Sequence, residues 1–381
     1  VAFFEPNETQ AMVQGTARKY AQESLVKVAA QLDREHRFPR AQLAELAELG
    51  LMGVNVPEEL GGAAAGAVAH ALALMELSQS CASTTVTLAV NNMVAETICK
   101  FGDQAQQQRF VPEITSGRFV AASFGLSEAH SGSDAASLRT TARRDGDSWV
   151  LNGSKQWITS GDVAGVLAIW ARTETDTSAA KGISCFLVEG GTPGLIVGKL
   201  EDKIGLRASS TVSLTFEDMR LPARALLGSR GQGFSIAMNA LAGGRIGIAA
   251  QAIGIATAAL TEAVRYAKDR KAFGKPIGDY QALRFMLADC DTELTAARLL
   301  VLRAAGLKEA DKPFVREGSM AKVFATEKAN HVCDVAVQVH GGYGYIDEFP
   351  AERHYRDVRI TTIYEGTSEI QRIVIARDVL K

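Results

Sequence analysis

The chain reads as a multidomain α+β protein, with an N-terminal α-helical domain at 1–118, a middle β-barrel-like domain at 119–228 and a C-terminal four-helix bundle at 229–381. Three observations predict this. Helical periodicity runs from residue 8 to about 117, alternation with turn dipeptides takes over to about 225, and long apolar stripes at spacings of three and four follow Gly228.

In the first third, Leu43, Leu46 and Leu49-Gly50-Leu51 fall on one short helix and the Ala-rich run from Ala67 to Leu77 on another. Between them, Pro57-Glu58-Glu59-Leu60-Gly61-Gly62 is a loop, because Pro and paired Gly break the helical pattern. In the middle third, Asp145-Gly146 is a hairpin-type dipeptide ahead of a strand at Ser148-Trp149-Val150-Leu151. Val166 to Trp170, Ile183 to Val188 and Val212 to Phe216 are further strands.

The last third carries three stripes. They are Ile246, Ala250, Ile253, Thr257, Leu260 and Val264; then Leu283, Leu287, Cys290, Leu294, Ala297 and Val301; then Gly318, Ala321, Ala325, Val332, Val335 and Val339. Such stripes suit side-by-side helices, and a fourth helix after Ser368 completes an antiparallel bundle. Small residues such as Gly254 and Ala249 to Ala252 permit close contacts within and between subunits.

Composition narrows the function. With 47% hydrophobic and 22% charged residues, neither a disordered nor a membrane-spanning class fits. A net charge of -2 and pI near 6.4 provide no basic field for nucleic acid. Cys81, Cys99, Cys185, Cys290 and Cys333 lie far apart, with no C-x-x-C and no His at ligand spacing, so a reducing compartment without a zinc site is expected. Val1 to Pro6 has no charged segment leading into an apolar run, so no signal peptide is expected there; a targeting sequence already removed is left open.

The chemistry points to Ile363-Tyr364-Glu365-Gly366-Thr367-Ser368-Glu369-Ile370-Gln371-Arg372. Ser368 and Gln371 have capping-box spacing, so a helix starts there and Glu365 falls in the turn before it. Gly366 allows close backbone approach and offers an N–H to polarise a carbonyl. A carboxylate base beside an amide donor suits proton removal alpha to a carbonyl. The same pattern also occurs as a plain Glu-Gly turn with no chemistry.

Six motifs then share one resemblance: Leu126-Ser127-Glu128-Ala129-His130-Ser131-Gly132-Ser133-Asp134, Gln156-Trp157-Ile158-Thr159, Gly244-Arg245-Ile246, Asp269-Arg270-Lys271-Ala272-Phe273-Gly274, Gln338-Val339-His340-Gly341-Gly342-Tyr343-Gly344 and Tyr364-Glu365-Gly366-Thr367. In their order and spacing the chain resembles the acyl-CoA dehydrogenase family over essentially its whole length, most of all its short-chain and short-branched-chain members. The resemblance implies an FAD enzyme that oxidises an acyl-CoA thioester to the trans-2-enoyl-CoA.

By the same resemblance, Glu365 takes the alpha proton, while the thioester carbonyl is held by the Gly366 N–H and a ribityl hydroxyl of FAD. The beta hydrogen leaves as hydride to flavin N5. In some relatives the base stands at the position of Gly244, where glycine cannot serve. Phe124, Leu126, Ser127, Gly132 and Ser133 match flavin and phosphate contacts, and Trp157, Ile158 and Thr159 match the ring wall. Arg270, Phe273, Tyr280 and Gln281, with Gln338, Gly341 and Gly342, match an adenosine and pyrophosphate site that serves a neighbouring subunit. Thr367 and Glu369 return to the same cofactor. Ser133 and Arg245 match contacts to the CoA part of the substrate. Taken alone, Trp157 reads as a core residue, Arg270 as a solvated charge and Arg245 as a paired helix-end charge.

The resemblance further implies a homotetramer and electron transfer flavoprotein as acceptor, in bacterial cytoplasm or, after removal of a transit peptide, in the mitochondrial matrix. Ala129-His130 departs from the Pro-Gly or Pro-x usual in the first motif. Gly244, Gly254 and Tyr343 to Tyr345 are expected to shape the acyl pocket. Short straight and short branched acyl groups both fit, and no extra basic residue marks a site for glutaryl. An oxygen-reacting oxidase or monooxygenase relative, and a non-catalytic assembly protein on the same fold, are the alternatives. A nitroalkane-oxidising relative would carry Asp where this chain has Glu365.

Overall fold

A computed structural model describes residues 5–174 and 180–381; most of the Val1–Pro6 stretch read above for a signal peptide lies outside them. The N-terminal layer is α1 (Glu8–Tyr20), continued through a π turn into α2 (Val26–Glu35), then α3 (Arg40–Glu48), α4 (Gly66–Ser78), α5 (Ala82–Phe101) and α6 (Gln104–Thr115). Helices α1 and α6 start on capping boxes, Asn7 with Gln10 and Asp103 with Gln106. Helix α3 ends earlier than its leucines suggest. Gly50 turns left-handed at φ 74°, so Leu51 leaves the helix and opens a buried 3-10 turn, Leu51–Gly53. The Pro57 to Gly62 loop holds one further 3-10 turn, Glu58–Leu60.

Ala65, at the N-cap of α4, has no side chain to cap with. The orphan N–H of Val68 is satisfied from a residue remote in sequence instead, donating to Glu309 Oε2 at 2.9 Å, while Gln10 Nε2 donates to Glu309 Oε1 at 3.1 Å. One carboxylate thereby ties α1 and α4 to the C-terminal helices.

The β-domain comprises β1 (Ala122–Gly125), β2 (Thr141–Asp145), β3 (Ser148–Thr159), β4 (Val166–Arg172), β5 (Ile183–Glu189), β6 (Leu195–Leu200), β7 (Thr211–Pro222) and β8 (Leu226–Leu227). Their order is β6-β7-β3-β2-β4-β5-β8, with β1 parallel to β4. Asp145 pairs with Ser148, so the hairpin turn is Gly146-Asp147, one residue later than the dipeptide suggested. Leu151, Ile158, Leu167, Ile169, Phe186, Leu214 and Phe216 face one another in the core that the sheet wraps. Strand β6 escapes the sequence reading because it is an edge strand with exposed residues from Ile196 onward, so no alternation marks it.

The C-terminal layer contains α7 (Gly233–Asp269), a small hairpin of β9 (Lys271–Ala272) and β10 (Lys275–Pro276), α8 (Gln281–Glu309), α9 (Val315–His340), α10 (Ala351–Val358) and α11 (Ser368–Val379). Helices α7, α8 and α11 all pack on α9, and α7 is also covered by α4 and α5. Helix α7 is long and apolar enough to cross a membrane, but 78% of its most apolar window is buried within the protein. At the α4 crossing a Cβ on Gly254 would stand 2.3 Å from the Met75 carbonyl oxygen, so this glycine serves helix packing, where an acyl-pocket role was expected. The Trp170 indole on β4 donates to the Gly233 carbonyl at 2.7 Å, joining the sheet to the first turn of α7.

Glu309→Ala leaves the Val68 N–H and Gln10 without their acceptor. The expected loss is about 1–2 kcal/mol, read as a lower midpoint in thermal unfolding.

Candidate active site

The turn before α11 holds two successive left-handed residues, Glu365 at φ 52° and Gly366 at φ 93°. For glutamate this conformation costs about 1–2 kcal/mol, so the surroundings must hold it. The Gly366 carbonyl accepts from Lys322 Nζ at 2.8 Å and from Gln371 Nε2 at 2.9 Å. On the other side the Tyr364 hydroxyl donates to Gln251 Oε1, and Gln251 Nε2 donates to the Ala82 carbonyl at 2.9 Å, fixing the turn to α7 and α5. The capping box expected at Ser368 is absent. Thr367, extended at ψ 163°, is the N-cap and accepts from the Ile370 N–H at 3.4 Å, while Ser368 is already helical and Gln371 is committed to the turn.

Glu365 Oε2 is buried and has no hydrogen-bond partner among the described residues. It lies against the backbone of α7, where a Cβ on Gly244 would stand 2.0 Å from it and 3.0 Å from Met93 Sδ. Burial pushes the Glu365 carboxyl up to about 7, and Lys322 and Arg245 hold it from rising further. Arg245, also buried, donates to Ser319 Oγ at 3.3 Å, and burial lowers it from the ordinary guanidinium range. Arg245 Nε, Ser368 Oγ and Gln371 Oε1, beside the same turn, are also buried and without a partner among the described residues. Unsatisfied polar atoms gathered this way mark a place built for a ligand. Glu369 is exposed on the first turn of α11.

A second group lies on the β-domain. The register of β3 against β7 slips between Lys155 and Ile158, and in that bulge Trp157 takes φ 62° with 61% of its surface exposed. A core role for Trp157 is therefore excluded; its ring stands out from the sheet. The Gln156 N–H donates to the Ser127 carbonyl at 2.9 Å, and buried Lys155 Nζ donates to the Leu126 carbonyl at 3.1 Å and to Glu128 Oε1 at 2.8 Å. Glu128 also accepts from the N–H groups of Arg139 at 2.6 Å and Thr140 at 3.0 Å. Burial opposes its charge, but Lys155 and these donors keep the carboxyl below its usual range. This Lys155–Glu128 pair holds the loop of the first motif. Sequence reading missed Lys155, although an isolated lysine among strand residues that alternate inward was a signal.

Leu126 and Ile158 bury their side chains, so only their backbone can serve a ligand; Phe124 packs on Trp170 with ring centroids 4.2 Å apart. The Thr159 carbonyl accepts from Ser123 Oγ at 2.8 Å, while Gly132 and Ser133 are exposed. His130 stands 3.7 Å from Glu128 Oε2 and belongs to the loop.

The third group sits at the far end of α7. Arg270 follows its last turn and lies 6.0 Å from the Tyr343 ring, and with Gly341 and Gly342 both line a cavity of about 670 Å³. Phe273, at φ 52° with Gly274 at 85°, forms the two-residue turn of the β9–β10 hairpin and is 97% exposed. The Tyr280 hydroxyl donates to the Ala272 carbonyl at 3.0 Å, and Gln281 and Gln338 are exposed at the adjoining helix ends. Twenty-five residues of helix separate Arg245 from Arg270, about 38 Å. Tyr343 and Tyr345 belong to this end and do not shape a pocket at Glu365, contrary to expectation, because the Gly341–Gly344 turn follows the far end of α9.

Family models for the acyl-CoA dehydrogenase N-terminal, middle and C-terminal domains match residues 7–118, 123–219 and 231–380. The chain belongs to the acyl-CoA dehydrogenase family. It is an FAD-dependent oxidoreductase. The mitochondrial short-chain specific acyl-CoA dehydrogenase of Bos taurus is 53% identical over 98% of this chain and 90% of its own. The solved butyryl-CoA dehydrogenase from Megasphaera elsdenii is 39% identical with a TM-score of 0.97, covering both chains fully. A chain solved in work on the electron transferring flavoprotein of Acidaminococcus fermentans is 42% identical at a TM-score of 0.98, again over both full lengths. The residues present fit the flavin: an exposed indole on a bulge, exposed Ser and Gly beside it, and buried polar atoms with no partner among the described residues around Glu365 Oε2.

In this acyl-CoA dehydrogenase, Gly244→Ala would drive a methyl group into Glu365 Oε2. Steady-state turnover should fall about 100-fold or more, with FAD retained in the purified protein.

Proposed function

We propose that the enzyme dehydrogenates a short-chain acyl-CoA, straight or branched, to the trans-2-enoyl-CoA, with Glu365 as the base that removes the alpha proton. The observation that carries this reading is the unpartnered Glu365 Oε2, buried against Gly244 with its carboxyl near 7. A carboxylate with one oxygen withdrawn from water and from donors is a stronger base than one fully in water. The Gly366 N–H polarises the thioester carbonyl, which stabilises the enolate-like charge as the proton leaves. Arg245 and Ser133 receive the CoA portion.

Phe124, Leu126, Ser127, Gly132, Ser133, Trp157, Ile158, Thr159, Thr367 and Glu369 hold the flavin end of FAD. The bound cofactor supplies the hydride acceptor. Arg270, Phe273, Tyr280, Gln281, Gln338, Gly341 and Gly342 take the adenosine and pyrophosphate end from a neighbouring copy; their separation from Glu365 along α7 supports a shared cofactor and a homotetramer. Similarity to short-chain and butyryl enzymes supports the acyl length, as do Met93 and the Tyr364–Gln251 contact, which crowd the site around Glu365. The Acidaminococcus neighbour supports electron transfer flavoprotein as acceptor. Bacterial cytoplasm and mitochondrial matrix both agree with the relatives.

Anaerobic titration with butyryl-, isobutyryl-, 2-methylbutyryl- and octanoyl-CoA, followed by flavin absorbance, should give bleaching with a short acyl group; rapid reoxidation by air would instead favour an oxidase. Glu365→Gln should keep FAD and lose turnover, and a near wild-type rate would sink the base assignment. Because the ionised form is the base, kcat should rise with pH through about 7. Arg270→Glu should lower both FAD retention and assembly in size-exclusion chromatography.

A further inference from the structure

We propose that Lys322 is a positioning residue for the reaction: its ammonium, carried by α9 and fully buried, holds the Gly366 carbonyl and supplies a cation that favours the ionised form of Glu365. This rests on the reading of Glu365 as the base. Lysine is almost never fully buried unless it is paired, yet Lys322 is 0% exposed. Its hydrogen bond goes to the Gly366 carbonyl at 2.8 Å, and a neutral oxygen does not balance an ammonium. Burial pulls Lys322 down to about 8, with the Glu365 charge opposing that fall, so near neutral pH it is largely cationic.

The charged groups around it are few. Lys322 feels Glu365 from the turn, Arg245 from α7, Glu327 on its own helix and Glu369 on α11. Glu365 feels Lys322 and Arg245, and the neighbouring Tyr364 hydroxyl is committed to Gln251. Arg245 donates to Ser319 and matches a substrate contact, whereas Lys322 reaches the turn itself.

Two donors converge on the Gly366 carbonyl, and they separate the two effects. Gln371 Nε2 is neutral, at 2.9 Å from that oxygen and 3.4 Å from the Glu365 carbonyl. The latter carbonyl belongs to the peptide that presents the Gly366 N–H. Gln371 therefore orients without charging, while Lys322 orients and charges.

The test is the pH profile of kcat for Lys322→Gln and Gln371→Met, each checked for FAD content and assembly, with Glu365→Gln in parallel. Removing the cation disfavours ionised Glu365, so Lys322→Gln should move the acid limb upward by roughly one unit, about a tenfold loss at ~pH 6 and little at ~pH 9. Lys322→Arg should restore part of the shift, and Gln371→Met should lower the rate at every pH with the limb unmoved. An unmoved limb in FAD-loaded Lys322→Gln would overturn the proposal, as would failure of both Lys322 variants to fold with FAD, which would make the residue purely structural. If Glu365→Gln itself turns over, the base assignment has failed; if it is inactive and only the Lys322 limb is unmoved, this inference alone has failed.

Discussion

A carboxylate with one oxygen buried and, among the described residues, without a hydrogen-bond donor is the interaction around which the rest of the molecule is arranged. Left to itself Glu365 would take up a proton or swing out to water, since burying an unpaired charge is far more costly than exposing it. The fold limits the first and prevents the second. Gly244 removes the one methyl group that would occupy the space, Lys322 and Gln371 clamp the Gly366 carbonyl, and the Tyr364–Gln251–Ala82 chain pins the turn from behind. Those contacts come from α5, α7, α9 and α11, so the site exists only when the N-terminal and C-terminal helices are packed together.

That dependence explains the polar ties elsewhere. Glu309 caps a helix that is remote in sequence, and Arg356 on α10 reaches Asp33 on α2 at 2.8 Å. The Leu206 N–H of the β-domain donates to Asp357 on α10 at 2.6 Å. Each crosses between layers of the molecule, where a loose junction would shift the turn relative to the β3 bulge that carries Trp157.

The α, β, α architecture was legible because three long apolar stripes and several alternating runs carry it. What escaped had weak local signals. Strand β6 does not alternate, and α10 is eight residues with a strongly polar sequence. The start of α11 shifted by one residue because the paired left-handed conformations of Glu365 and Gly366 decide where the chain re-enters the helix, which capping statistics do not register. Among candidate site residues, those in compact motifs could be named from sequence, since the motif fixes their neighbours. Lys322 could not, and Lys155 left only the faint mark of a lone lysine at an inward strand position: the meaning of each comes from burial, a property of the folded molecule.

The bulge in β3 has an optical consequence. Of the three tryptophans, Trp149 and Trp170 lie inside the β-domain at 3% and 0% exposure, while Trp157 stands at 61%. Emission from the first two belongs to an apolar interior, and the third supplies the red, water-exposed component. Intrinsic fluorescence therefore separates into a background from the folded sheet and a single reporter at the proposed ring wall, so occupation of that wall is visible without any label.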